Sequence, residues 1–216
     1  MLLLFVEDMI MEITAAALWI NNTFAAFDQS ITLLVHQLYT LGGGFFTPFF
    51  EFVSLLGKGG IFLVLLSLAL MVYRPTRRYG TAMLLAVAIG ALFTNVWLKV
   101  VIARPRPYAD ESSLFYQLWL LVGQNVESDK SFPSGHTTAA FSTMTALFLM
   151  GNKKYSWTAF IFAFLMGIAR IYLVVHFPSD VLGGIVVGLV AGCLGALIAN
   201  KLPESWYASW RKKESR

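Results

Sequence analysis

Apolar residues in this chain are gathered into runs of about 15–22, each long enough to cross the hydrocarbon core of a bilayer. In lipid a backbone must satisfy its own hydrogen bonds, so each run is expected to be an α-helix. Five runs are clear: 54–73, 80–98, 134–150, 156–175 and 178–200. Residues 9–27 carry Glu12 as their one charge and read either as a sixth span or as an amphipathic helix lying in the interface. Segment 31–50, ITLLVHQLYTLGGGFFTPFF, reads as a short helix followed by a Gly-rich turn. The expected fold class is therefore all-α: a polytopic membrane bundle of five transmembrane helices, with a sixth left open at the N-terminus. It divides into an N-terminal helical or interfacial segment (1–53), a transmembrane unit (54–200) and a basic tail (201–216).

Composition agrees. The chain is 57% hydrophobic and 13% charged, and a soluble domain carries nearly twice that charge fraction. The single cysteine, Cys193, excludes an intrachain disulfide. The opening MLLLFVEDMIMEI has Glu7, Asp8 and Glu12 where a cleavable signal has basic residues, so it reads as part of the mature chain. A net charge of +4 fits basic loops on a membrane protein and gives no reason to expect nucleic acid as a partner. Glycines 183, 184, 188, 192 and 195 predict close helix packing along the last span. Trp206 and Trp210 read as interface anchors, and His36 as structural or interfacial.

Basic residues set orientation. Arg74, Arg77 and Arg78, then Lys153 and Lys154, then Lys201, Arg211, Lys212, Lys213 and Arg216 fall on one face if the five spans alternate. That face is assigned to the cytoplasm. Lys99, Arg104, Arg106 and Arg170 break the rule on the opposite face, and such an exception asks for an anion. The outer connection, 102–131, contains LFYQLWLLV (114–122), too short to span; it is either an interfacial helix beside a lipid entrance or a surface anchor.

Three segments reach the outer face at span ends: KVVIARPRP (99–107), PSGH (133–136) and RIYLVVHFPSD (170–180). Their parts suit phosphoryl transfer, where positive charge and positioning do most of the catalysis. Arginine forks match phosphate oxygens and lysine adds a point charge. Ser134 and the free N–H groups of a helix N-terminus make an anion site. A neutral imidazole can attack phosphorus, an aspartate can fix its tautomer, and a second histidine can protonate the leaving oxygen. Each residue also has an ordinary reading: Ser134 as an N-cap, Asp180 as a charge favoured by the helix dipole, Lys99 and Arg106 as snorkelling cations, His136 as a helix cap and His176 as a surface residue. Two histidines without a cysteine pair or second ligand cluster fall short of a zinc site, so no metal is expected.

In this order and at these span ends, Lys99…Arg106-Pro107, Pro133-Ser134-Gly135-His136 and Arg170…His176…Asp180 resemble the three signatures of the type 2 phosphatidic acid phosphatase superfamily. That superfamily also includes glucose-6-phosphatase, bacterial nonspecific acid phosphatases and vanadium haloperoxidases. The resemblance implies that Lys99, Arg106 and Arg170 bind phosphate, with hydrogen bonds from Ser134 and Gly135. It implies His176 as nucleophile through a phosphohistidine, His136 as general acid and Asp180 as the group orienting His176, with no cofactor. Ala169 stands where the third signature usually has serine. Arg104 lies outside the pattern and is expected to meet a second phosphate or a lipid headgroup. The expected protein is a lipid phosphatase of the plasma membrane with its site on the outer face. Undecaprenyl diphosphate is the favoured substrate; phosphatidylglycerophosphate or phosphatidic acid is the alternative, and a non-enzymatic lipid-phosphate binder or transporter is the alternative of another class. No obligate protein partner is evident.

Overall fold

The computed structural model describes residues 13–208, and expectations for residues 1–12 and 209–216, Trp210 among them, lie outside the described residues. Within these, the elements are α1 (Ala15–Gly42), α2 (Thr47–Gly57), α3 (Ile61–Val72), α4 (Arg77–Ala91), α5 (Lys99–Ile102), α6 (Leu114–Leu121), α7 (Gly135–Met150), α8 (Lys153–Ser156), α9 (Ala159–Tyr172), α10 (Pro178–Lys201) and α11 (Glu204–Ala208). A π-helical segment, Leu92–Leu98, joins α4 to α5. Among the described residues every regular element is helical, as the runs predict.

Four stretches are long and apolar enough to cross a membrane: Thr47–Val72, Arg74–Ala109, Lys153–Tyr172 and Pro178–Lys201. The first begins earlier than the sequence suggests, because α2 and α3 form one stretch interrupted at Gly59 and Gly60. Both glycines have left-handed backbone, φ 59° and 69°, which lets the chain break and restart a helix without a Cβ clash. The fifth helix, α7, has 16 residues and spans about 24 Å at 1.5 Å per residue. It is the most enclosed helix, with Thr137 through Ala146 all buried. Two of its hydroxyls bond back to the helix, Thr143 Oγ1 donating to Ala139 O at 2.8 Å and Ser142 Oγ to the same oxygen at 3.0 Å, while Thr138 Oγ1 accepts from Thr94 Oγ1 at 3.1 Å.

Helix α10 packs against both α7 and α4, which also pack against each other. A Cβ on Gly188 would sit 2.6 Å from Phe141 Cβ, and one on Gly184 2.8 Å from Ser134 O, so the stripe of small residues lets two backbones meet. Outward-facing side chains are apolar: Val190 is 55% exposed, Leu197 57% and Leu65 59%. Such a surface suits lipid and would be an aggregation hazard in water.

Helix α1 joins the two N-terminal segments that the sequence reading kept apart, and the Gly-rich turn follows it as expected. It is one 28-residue helix, not a span over 9–27 followed by a short helix. Thr14 donates to Ile102 O at the end of α5, Asp28 bonds Ser179 at the start of α10, and Thr47, just beyond α1, lies 2.9 Å from the Tyr172 hydroxyl at the end of α9. These three contacts lie at one end of the bundle, so α1 runs across that rim.

Candidate active site

All three signatures reach this same rim, and local backbone explains how. Ala103 (φ 50°) ends α5 and Val174 (φ 52°) follows α9, both in left-handed conformation. For a β-branched valine that conformation costs about 1–3 kcal/mol and persists where the surroundings over-determine it. It turns the chain between Arg170 and His176 so that both side chains are buried beneath the rim.

The His176 ring is 2% exposed. Its Nε2 lies 2.9 Å from Arg106 Nη1. A guanidinium only donates, so Nε2 accepts and the neutral ring carries its proton on Nδ1. Burial first, then the charges of Arg106, Arg170 and Lys99, hold this imidazole well below the ordinary histidine value. Nδ1 faces Asp180 Oδ2 at 3.5 Å, longer than a normal hydrogen bond.

Asp180 is fully buried and held by others. Its Oδ1 accepts from Arg104 Nη1 at 2.6 Å; its Oδ2 accepts from Ser131 Oγ at 2.5 Å and from Phe177 N at 2.9 Å. Arg104 corrects the expectation of a second-phosphate or headgroup ligand. It is 1% exposed, and each nitrogen is engaged. Nη1 also donates to Ser179 Oγ (2.7 Å), Nη2 to Asp28 Oδ2 (2.9 Å) and Nε to Asn21 Oδ1 (2.8 Å), while the guanidinium lies 4.0 Å above the Phe177 ring. Asp28 in turn accepts from Ser179 N at 2.7 Å and so caps α10 from a helix 151 positions away.

A cavity of about 250 Å³ opens beside these residues and is lined by Lys99, Arg106, Gly135, His136 and His176. Five of the eight expected site residues therefore share one space, including both imidazoles. The other three stand behind it. Ser134 Oγ is 2.9 Å from Thr137 Oγ1 and caps α7, as its ordinary reading expects. Arg170 reaches Ser54 and Glu127, and Asp180 belongs to the Arg104 network.

Among the lining residues that the sequence reading did not assign to the site are Lys58, Asn95, Glu127 and Asp129. The acids come from the connection before α7. Asp129 gives one carboxylate oxygen to Lys99 and the other to Arg106. Burial opposes ionisation of Asp129, but the hydrogen bond and charge of Lys99, with Arg106, hold its carboxyl below the ordinary aspartate value. The signal for these residues was present in ESDK (127–130) and in GKGG (57–60), a lysine among glycines inside an apolar run. Among the described residues, no group of three or more His, Cys, Asp or Glu converges as a metal site would require.

Residues 76–204, more than half of the chain, match the family described as the PAP2 superfamily. The chain belongs to the PAP2 superfamily. It is 36% identical over 106 residues to the undecaprenyl-diphosphatase BcrC of Bacillus subtilis, covering 49% of this chain and 51% of that protein. It is also 36% identical over 138 residues to phosphatidylglycerophosphatase B of the same organism, covering 59% of this chain and 61% of that one. The matched stretches thus span about half to three-fifths of these two relatives. Among solved structures, a transmembrane PAP2 type phosphatidylglycerolphosphate phosphatase from Bacillus subtilis superposes with a TM-score of 0.65 at 29% identity, covering 87% of this chain and 92% of that one. The PAP2 match brackets all three signatures, and the structural similarity extends over α-helices beyond them.

Proposed function

We propose that this PAP2 protein is a lipid phosphatase that works through a phosphohistidine at His176. One observation carries the reading: a neutral, buried imidazole presents Nε2 beside Arg106 in a cavity shared with Lys99 and His136. Lys99 and Arg106 hold the phosphoryl oxygens. Nε2 attacks phosphorus in line, a P–N bond forms, and the P–O bond to the leaving group breaks. His136 gives its proton to the leaving oxygen. Water then attacks the phosphohistidine, His136 takes its proton, and inorganic phosphate leaves with the imidazole restored. Arg170 supports the site from behind through Glu127, and Asp180 keeps the His176 tautomer.

The favoured substrate is undecaprenyl diphosphate, supported by the similarity to the Bacillus undecaprenyl-diphosphatase. Phosphatidylglycerophosphate is the second reading, supported by the structural similarity to an enzyme named for it. The basic end faces the cytoplasm, which puts the site at the outer surface of the plasma membrane.

Phosphate release from detergent-solubilised protein tests this, with undecaprenyl diphosphate, phosphatidylglycerophosphate and phosphatidate offered to wild type and His176→Ala. Wild type is expected to release phosphate, and the variant to lose on the order of 10⁴-fold in kcat. Lipid binding by wild type without release would instead mark a carrier, and full activity in His176→Ala would remove the proposed nucleophile.

A further inference from the structure

We infer that Lys58, on the loop Gly57-Lys58-Gly59-Gly60, is the cation that receives a second phosphate on the leaving-group side of the cavity. The inference rests on the phosphatase reading and deepens it toward diphosphates. Three observations lead to it. The loop forms one wall of the cavity, with Lys58 among the lining residues. That wall is pressed against His136: a Cβ on Gly57 would lie 2.6 Å from His136 Cδ2 and 2.8 Å from Met166 Sδ. Gly60, whose own Cβ would touch Ala139, ties the loop to the first turns of α7, and the left-handed glycines fix the path of the chain around the lysine.

The third observation is charge. The cavity-lining cations Lys99 and Arg106 share the Asp129 carboxylate, and Arg170 behind them holds Glu127. Lys58 is exposed and, among the described residues, makes no ion pair. It is thus a lining cation with its charge free for a ligand. His136 is the proposed proton donor to the leaving oxygen, so the wall it shares with Lys58 is where the leaving group departs. When a monoester is cleaved, the leaving group is an alcohol and needs no counter-charge. When a diphosphate is cleaved, it is itself a phosphate, and a lysine there stabilises the charge that grows on it. Arg104 cannot serve this role, because it is buried and fully engaged.

Calorimetric binding to the full-length protein in detergent tests the assignment, using methylenediphosphonate as a non-hydrolysable diphosphate and orthophosphate as the single-phosphate probe. Lys58→Gln is expected to weaken methylenediphosphonate about tenfold, the scale of one charge-assisted contact, and orthophosphate less than twofold. Lys58→Arg keeps the charge and is expected to bind both as wild type does. Equal weakening of the two probes by Lys58→Gln, or no weakening of either, would overturn the inference. Because binding is read without turnover, the outcome is separate from that of the His176→Ala assay. Loss of diphosphonate selectivity with His176-dependent phosphate release intact supports the inference, and unchanged selectivity with that release intact sinks it alone.

Discussion

Asp129 occupies the two cations proposed to hold the substrate's phosphoryl group. It draws Lys99 and Arg106 together through one oxygen each, and any phosphoryl group seeking those cations competes with it. Asp129→Asn removes the competing charge but keeps the side chain's shape. KM is expected to fall several-fold, and inhibition by orthovanadate to tighten in step, with a smaller change in kcat; initial-rate kinetics at pH 7 would show it, and a raised KM would make Asp129 a substrate ligand instead. The pH dependence has a definite sign. The Asp129 carboxyl is held below its ordinary value, so the ion pairs are complete above that value and are lost only as pH falls through the depressed one. His176 is likewise held well below the ordinary histidine range, so the acid limb of kcat/KM should lie well under pH 6.5. At this scale the sequence revealed the motif residues through order and spacing. It did not reveal which of Ser134's two roles holds, because capping and phosphate binding ask for the same hydroxyl. It showed Asp129 only as one acid of ESDK and not what that acid holds, since its meaning comes from two cations that lie 30 and 23 positions away.

Among elements, α1 was the hardest to place from sequence. Its apolar content permits a span, but Asn21, Asp28, Thr32 and His36 fall near a 3.6-residue period and mark one polar stripe. Asp28, Thr32 and His36 are buried, and Asn21 reaches Arg104, so the stripe is turned inward across the rim. Hydropathy reads how apolar a segment is, not what its polar stripe will meet. The four long apolar stretches were legible because each needs only length and apolarity, and α7 was legible as a shorter apolar run, while the Gly59–Gly60 break could be seen only as a composition oddity. The stripe makes α1 part of the site's frame: Asp28 and Asp180, from helices far apart in sequence, share the Arg104 guanidinium. Arg104→Gln leaves two buried carboxylates without the cation they share, and removing one partner of such a set costs about 3–5 kcal/mol. Thermal unfolding in detergent should therefore show a marked drop in Tm for Arg104→Gln. Asp28→Asn, which leaves Arg104 paired with Asp180 and keeps an acceptor for Ser179, should lose less. A drop in Asp28→Asn equal to that in Arg104→Gln would show that α1, not Asp180, is the partner that matters.

For the whole molecule, the ion pairs change how orientation is counted. Counted singly, Lys99, Arg104, Arg106 and Arg170 run against the positive-inside rule at the site end, but each is paired with a carboxylate: Asp129, Asp28 and Asp180, Asp129 again, and Glu127. Their charge is largely cancelled before it can bias insertion. At the other end Arg74, Lys153, Lys154 and Lys201 are exposed, and among that end's described residues the ion pair is Arg78 with Glu204. Lys58 is exposed at the site end, but so are the carboxylates of Glu51, Asp110 and Glu111; the exposed positive excess therefore lies at the other end and argues for that end in the cytoplasm. Membrane-impermeant thiol labelling of intact cells checks this in a Cys193→Ser background, since Cys193 is itself exposed. Glu111→Cys, at an exposed position beside the site, should label from outside, and Lys153→Cys only after the membrane is opened. Labelling of Lys153→Cys alone in intact cells would invert the molecule, place the cavity against the cytoplasm, and leave it able to meet only lipid phosphates presented on that side.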